Sequence, residues 1–316
     1  MQRRRLGAAG PSVGAIGYGA MPLNWEYGSP VAEPEAVAVV HRALDLGCTL
    51  IDTADAYGPF VNEELLGRCL GDRRDEAVIS TKTGLVMTNS APITYVNDGT
   101  PDHIRDSCDG SLRRLGVDII DLYTLHRVDP KVPVEESAGA MAGLVEAGKV
   151  RSLGLSEVDV STVERAMTVA PIASIQSELS LWTRGALDEV VPWCAANGVA
   201  FLPFSPLGRG FLTGQLDTST LTSTDFRFGM PRFEAEAAVA NQAIVEGIAQ
   251  VAGRHGASNA QVALAWLLAQ GPMVIPIPGT KRIRYLEDNA AAAELVLTPQ
   301  DLADLDSLPA PVGDRY

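Results

Sequence analysis

The chain has 316 residues, 46% of them hydrophobic and 20% charged, which is enough for one large α/β domain or two small ones. Its net charge of −14 argues against nucleic acid or anionic lipid as a partner and for simple solubility. No apolar run is long enough for a membrane span, and the basic start MQRRRLGAAGPSV has no apolar segment behind it, so neither an anchor nor a signal peptide is expected.

Strand-like and helix-like segments alternate from end to end. A strand near Ala15–Gly19 precedes EPEAVAVVHRALDLG, where Val37, Val40 and Leu44 line one helical face and Gly47 is a stop. Leu50–Asp52 leads into a helix over Glu63–Leu70, and Val78–Thr81 leads toward a helix capped by Thr100 with Pro101 first. That helix buries Ile104, Cys108, Ser111, Leu112 and Leu115 and ends at Gly116. Strands near Ile119, Val150, Ile172, Ala200 and Met273 follow, with helical patterns between them. Eight strand–helix units predict right-handed βαβ connections closing a (β/α)8 TIM barrel; a doubly wound open sheet is the alternative. No internal repeat or linker divides the chain, so residues 1–316 read as one domain.

Three pieces break the rhythm. Arg3–Val13 carries Gly-Pro turn signals and is expected to form an N-terminal hairpin plugging the barrel floor. Thr83–Asp98 reads as a long polar connection. Gly208–Ala240, after strand 7, is the longest irregular stretch, with DTSTLTSTD flanked by Phe211, Phe226, Phe228 and Phe233; its length predicts a mobile lid or a disordered tip. Cys48, Cys69, Cys108 and Cys194 show no CxxC or metal spacing. The first three lie in apolar patterns and read as packed free thiols, which suits a reducing, cytoplasmic compartment.

Three segments carry chemistry: IDTADAYG with Asp52 and Tyr57, ISTKTG with Lys82, and LYTLHR with His126. Each follows an apolar run (Thr49–Ile51, Val78–Thr81, Ile119–Leu125), so a carboxylate, a phenol, an ammonium and an imidazole fall at the carboxyl ends of strands. In a parallel barrel those ends share one face, where catalytic groups gather. A phenol titrates near pH ~10 in water; an adjacent ammonium favours its ionised form, a carboxylate holds that ammonium, and a histidine can orient a carbonyl. Tyr57 is thus the expected acid, Lys82 its electrostatic partner, Asp52 the anchor and His126 the orienting group. The four supply a proton but no electron source, which points to a nicotinamide, and they need no metal.

The glycines of GAIGYGAM have GxxGxG spacing, and the following MPLNWEYGSP does not open a helix, so a Rossmann fingerprint is rejected. PIPGTKRIR is the better nucleotide candidate: a strand end, a tight turn at Pro278-Gly279-Thr280, then Lys281, Arg282 and Arg284 opening a helix in an acidic chain.

Taken in order, IDTADAYG, STKTG, DLYTLHR, GKVRSLGLSE, IQSELSLW, PFSPLGRGFLTG and PIPGTKRIRYLEDN resemble the aldo-keto reductase superfamily over Leu6 to about Asn289, and most of all its bacterial and plant pyridoxal-reductase-like branch. The resemblance implies a (β/α)8 barrel and a tetrad of Asp52, Tyr57, Lys82 and His126. It implies an NADP(H) site in which Ala20, Met21, Asp52, Ser156 and Gln176 meet the nicotinamide, and Phe204 stacks on it. Ser205, Pro206, Leu207, Gly208, Arg209 and Gly210 would follow the pyrophosphate, Gly279, Thr280, Lys281 and Arg282 the adenosine phosphate, and Asp288 and Asn289 the adenine. Glu157 stands where many members have Asn, and Tyr285 where some have a phosphate-binding Arg.

The implied reaction is reversible, NADPH-dependent reduction of a small aldehyde or ketone. Trp25, Tyr27, Phe60 and Trp182 are candidate pocket walls beside Tyr57 and His126, joined by Phe226 or Phe228 from the lid. Two other classes stay open: a cofactor-binding regulatory subunit like the potassium-channel β-subunits, and a barrel hydrolase built on Asp52 and Asp55.

Overall fold

The computed structural model describes residues 1–25, 27–90, 93–223 and 225–316. Its centre is a sheet of seven parallel strands in spatial order β11-β10-β9-β8-β5-β4-β3. These are β3 (Tyr18–Gly19), β4 (Leu50–Asp52), β5 (Val78–Thr83), β8 (Ile120–Leu125), β9 (Val150–Ser156), β10 (Ile172–Glu178) and β11 (Ala200–Phe204). Residues 273–279 close the gap. They make parallel bridges to Phe201 on one side and to Gly19 on the other, and the amides of Phe201 and Gly17 donate hydrogen bonds to the carbonyls of Met273 and Pro276. Pro276 and Pro278 have no N–H to give a ladder, so the eighth strand pairs only at intervals while still completing the expected (β/α)8 barrel.

Helices α1 (Glu33–Asp45), α2 (Val61–Leu70), α3 (Pro101–Leu115), α4 (Val134–Glu146), α5 (Val160–Met167), α6 (Val190–Asn197), α7 (Ala235–His255), α8 (Asn259–Ala269), α9 (Ile283–Ala291) and α10 (Pro299–Asp306) follow the strands. Caps obey local chemistry: the Thr100 side chain accepts from the His103 amide at the start of α3, and Gly116 ends it in the left-handed region at φ +66°. The buried side of α1 is Ala36, Val39, Val40, Ala43 and Leu44, with Val37 only half-buried.

Side chains alternate along each barrel strand. Odd-numbered Ile51, Ile79, Tyr123, Leu155, Ile175 and Phe201 pack outward in the core shared with the helices. Even-numbered Leu50, Leu122, Ala200 and Leu202 face inward, where Ile275 joins them. Leu6 and Val13 lie in that same inner cluster. They come from the antiparallel hairpin β1 (Arg3–Arg5) and β2 (Ser12–Gly14), so the hairpin seals the floor as expected.

Two connections differ from expectation. Thr83–Asp98 is no plain polar loop: β6 (Leu85–Ser90) and β7 (Ile93–Asn97) pair as an antiparallel hairpin with an irregularity between Met87 and Asn89. That break hides the strand alternation in the sequence. The irregular segment after β11 also ends sooner, because α7 begins at Ala235; before it come 3₁₀ turns at Gly208–Thr213, broken at Arg209 and Gly210, at Thr218–Thr220 and at Pro231–Phe233. All four cysteines are buried and unpaired. No helix among the described residues is long and apolar enough to cross a membrane.

Candidate active site

The inward alternation changes from apolar to polar toward the carboxyl ends of the strands. Above Leu50 sits Asp52; above Val78 sit Ser80 and Lys82; above Leu122 come Thr124 and His126; Ser156 and Gln176 continue the layer on β9 and β10. Gly154 falls in this layer for a steric reason, since a Cβ there would lie 2.6 Å from Thr124 Oγ1 and 2.7 Å from Ser174 Oγ. Tyr57 comes from the turn between β4 and α2. Asn62 holds that turn, accepting from Thr53 Oγ1 at 2.6 Å and donating to the Ala20 carbonyl at 3.1 Å.

The four expected groups meet. Lys82 is fully buried, and its Nζ donates to Asp52 Oδ2 at 2.6 Å, to the Thr53 carbonyl at 2.7 Å and to Tyr57 Oη at 3.4 Å. Asp52 Oδ1 accepts from Ser80 Oγ at 2.8 Å and Gln176 Nε2 at 3.0 Å. Desolvation opposes the Lys82 charge, but the Asp52 carboxylate and then Tyr57 outweigh it, and the ammonium's pKa is raised. The His126 ring meets Tyr57 edge-on, centroids 5.9 Å apart. Desolvation first, then the charges of Lys82 and Arg127, hold His126 well below its ordinary pKa, so it is a neutral imidazole at pH 7. Its Nδ1 is buried without a hydrogen-bond partner among the described residues.

A cavity of about 1280 Å³ opens over these groups and runs to Asp288 and Asn289 at the far end. Met21, Trp25, Tyr57, Asp52, His126, Ser156, Gln176, Phe204, Ser205, Pro206, Leu207, Arg209, Gly210, Gly279, Thr280, Lys281 and Arg282 all line it, as do Tyr27 and Phe226. Ala20 and Gly208 lie buried behind the wall. Ser205 and Arg209 hold positive φ of 45° and 54°, an uncommon backbone for these residue types that bends the chain tightly along the cavity.

Trp182 is a correction. It is 1% exposed and does not line the cavity; it stacks on Phe211 at 5.0 Å, meets Phe233 edge-on at 5.6 Å and lies under Arg232. It is the packing floor of the loop after β11, where a Cβ on Gly208 would come within 2.7 Å of its ring. Phe60 is also no wall: it is half exposed under Arg114 on the outer rim, and Phe228 likewise faces away. Asp55 points to Ser107 on α3, whose Oγ donates at 2.7 Å, so Asp52 and Asp55 do not flank a common substrate space as a hydrolase pair would.

At the far end, Lys281 Nζ donates to the Tyr27 and Ser29 carbonyls, each at 2.7 Å. Arg284 donates to Tyr285 Oη at 2.7 Å. Arg282, the residue preceding α9, is exposed and makes no ion pair among the described residues. Asp288 accepts from Ser258 Oγ at 2.7 Å. Glu157 has φ +54° and accepts from the Glu178 amide at 2.8 Å and from Arg315 at 2.6 Å, so its carboxylate belongs to a rim network with Glu178 and Arg209. Sequence reasoning missed Arg127, Tyr95, Leu85, Arg227 and Tyr316 as cavity residues. Arg127 had a signal, since it follows His126 directly in LYTLHR.

Residues 15–310 match the sequence model described as the Aldo/keto reductase family. The chain belongs to that family. It is 40% identical over 315 residues to a Glycine max protein named "Probable aldo-keto reductase 1", covering 99% of this chain and 90% of that one. Among solved structures, this aldo/keto reductase is similar to the glycerol dehydrogenase of Gluconobacter oxydans, with TM-score 0.88 and 29% identity over 99% and 98% of the two chains. It is also similar to an aldo-keto reductase of Klebsiella pneumoniae in complex with NADPH, with TM-score 0.74 and 28% identity over 98% and 96%.

Proposed function

We propose that this aldo/keto reductase reversibly reduces an aldehyde or ketone to an alcohol with NADP(H), with Tyr57 as the proton donor. The observation that carries this reading is the buried Asp52–Lys82 pair with its ammonium 3.4 Å from Tyr57 Oη, at one end of a cavity of about 1280 Å³ that reaches Asp288 and Asn289. The remaining surfaces fit that cofactor. Ser156 and Gln176 offer hydrogen bonds beside the phenol, Phe204 offers an aromatic face, and Arg282 at the far end offers a planar fork for a 2′-phosphate. Lys281, tied to the carbonyls of Tyr27 and Ser29, contributes charge there more than a hydrogen bond. The NADPH complex of the Klebsiella protein supports the same cofactor here.

When bound, NADPH supplies the hydride that reaches the carbonyl carbon. The chain's own residues manage the oxygen. Neutral His126 donates to the carbonyl oxygen from the ring nitrogen on the cavity side and orients it. As negative charge builds there, Tyr57 Oη transfers its proton, and Lys82 stabilises the phenolate left behind. Asp52 keeps Lys82 charged and aimed. Trp25, Tyr57 and His126 form the substrate end. The protein is expected to act on small molecules in the cytoplasm.

The test is loss of NADPH absorbance with a panel of aldehydes, using wild type and Tyr57→Phe. Turnover in wild type, abolished in the variant while NADPH binding measured by fluorescence persists, supports the reading. Equal rates in the two proteins refute it, and tight NADPH binding with no turnover of any carbonyl favours a regulatory cofactor-binding subunit.

A further inference from the structure

Among the described residues, Arg127 is a cation without an ion pair at the Tyr57–His126 end of the cavity, while Lys281, Arg282 and Arg284, which also lack one, lie at the far end. Arg227 pairs with Asp225, and Arg209 and Arg315 share Glu178. Asp52 is matched by Lys82, and His126 is neutral at pH 7. Arg127 lies half-buried in the cavity wall with no carboxylate within 4 Å among the described residues. Among the described residues its Nη1 alone is engaged, donating to the His126 carbonyl at 2.5 Å and Ser156 Oγ at 3.1 Å. Those two bonds fix the guanidinium plane and leave the Nε–Nη2 edge, a two-donor fork of the shape that matches a carboxylate, without a protein partner. A half-buried guanidinium with no counter-charge among the described residues is suited to an anionic ligand.

We infer that Arg127 is a carboxylate-recognising residue of the substrate pocket, so that the carbonyl compounds this enzyme prefers carry an acid group. This rests on the reductase reading of the same cavity and adds the substrate class. The carbonyl sits against Tyr57 and His126, and the acid group meets the open edge of Arg127, the residue next in the chain. The reaction is the reduction already described; Arg127 makes and breaks no covalent bond.

The experiment compares acid and neutral partners of similar size, 4-oxobutanoate against butanal and 3-formylbenzoate against benzaldehyde, in wild type, Arg127→Leu and Arg127→Lys. A charge-assisted bidentate contact predicts kcat/KM about 10- to 100-fold higher for the acid in wild type. The ratio should fall to about one in Arg127→Leu and survive in part in Arg127→Lys. Because Arg127 also touches Ser156, the NADPH dissociation constant is measured separately, and the selectivity ratio cancels any common loss. A wild-type ratio near one, or a ratio unchanged in Arg127→Leu, overturns the inference while leaving carbonyl reduction intact. If wild type reduces no carbonyl at all, the reductase reading is what fails. Benzoate against benzamide, followed by quenching of protein fluorescence, then decides the role of Arg127 without turnover. Benzoate binding at least tenfold weaker in Arg127→Leu supports it, and equal binding refutes it.

Discussion

Replacing Lys82 by Met removes the ammonium but keeps the bulk of a buried chain. With Nζ 3.4 Å from Tyr57 Oη and an effective dielectric of about 20, the charge favours phenolate by about 5 kcal/mol. If the proton is about half transferred at the transition state, about half of this reaches the rate, a loss of about 10²-fold in kcat for reduction. The alkaline limb of the pH profile, where reduction fails because the acid has lost its proton, should move to higher pH. The single variant also strands Asp52 in the interior with only Ser80 and Gln176 as partners, a cost of about 3–5 kcal/mol. The double variant Lys82→Met/Asp52→Asn removes that charge and isolates the chemical effect from the stability effect. Steady-state NADPH oxidation from pH 5 to 10, beside urea denaturation, is the assay. A folded double variant within tenfold of wild type, with its alkaline limb unmoved, would refute the idea that the ammonium tunes the phenol.

Other expectations concern the rest of the barrel. Burial pushes the Asp55 carboxyl up to about 7 against the Ser107 bond that lowers it, and its Oδ1 has no hydrogen-bond partner among the described residues. Its contribution is therefore fully present below pH ~4 and lost as pH rises through 7, so Asp55→Asn should gain up to about 4 kcal/mol on wild type between pH 4 and 8; a difference in urea stability that stays flat across that range would exclude this. Leu6→Ala opens a void in the barrel floor beside Leu50, Leu122 and Leu202 and should cost about 2–5 kcal/mol, read from the urea midpoint with KM for NADPH unchanged. Arg282→Ala should raise KM for NADPH about tenfold and leave that for NADH nearly unchanged; an equal effect on both would place the 2′-phosphate elsewhere.

The barrel, and the placing of Asp52, Lys82 and His126 at its strand ends, were legible in the sequence for one physical reason. A parallel strand buried on both faces reads as an apolar run, and a polar residue at its end must either be paired or serve chemistry. Asp52, Lys82 and His126 stand out against Leu50, Val78 and Leu122 by that rule, and the period-two alternation then aims all of them inward. The eighth strand was legible as an apolar run even though its prolines prevent a continuous ladder. The hairpin of β6 and β7 was not, since its register irregularity near Met87 breaks the alternation and its Thr and Asn residues mimic a solvated loop.

Trp182 and Arg127 show where such reading stops. Both follow strand ends, at positions that chain order assigns to the cavity rim. Chain order fixes where a backbone emerges but not which way a loop side chain turns, and that is settled by partners far away in sequence. Trp182 turns inward because Phe211, Phe233 and Arg232, all from the segment after β11, enclose it. Arg127, directly beside His126, turns to the cavity because Ser156, on the neighbouring strand β9, accepts from its Nη1. Asp52, Lys82 and His126, the strand-borne part of the proposed proton-transfer group, are thus set by strand alternation and can be found from a single sequence. The orientation of rim side chains such as Trp182 and Arg127 is set by contacts between loops and strands far apart in the chain, and it becomes visible only once the barrel closes.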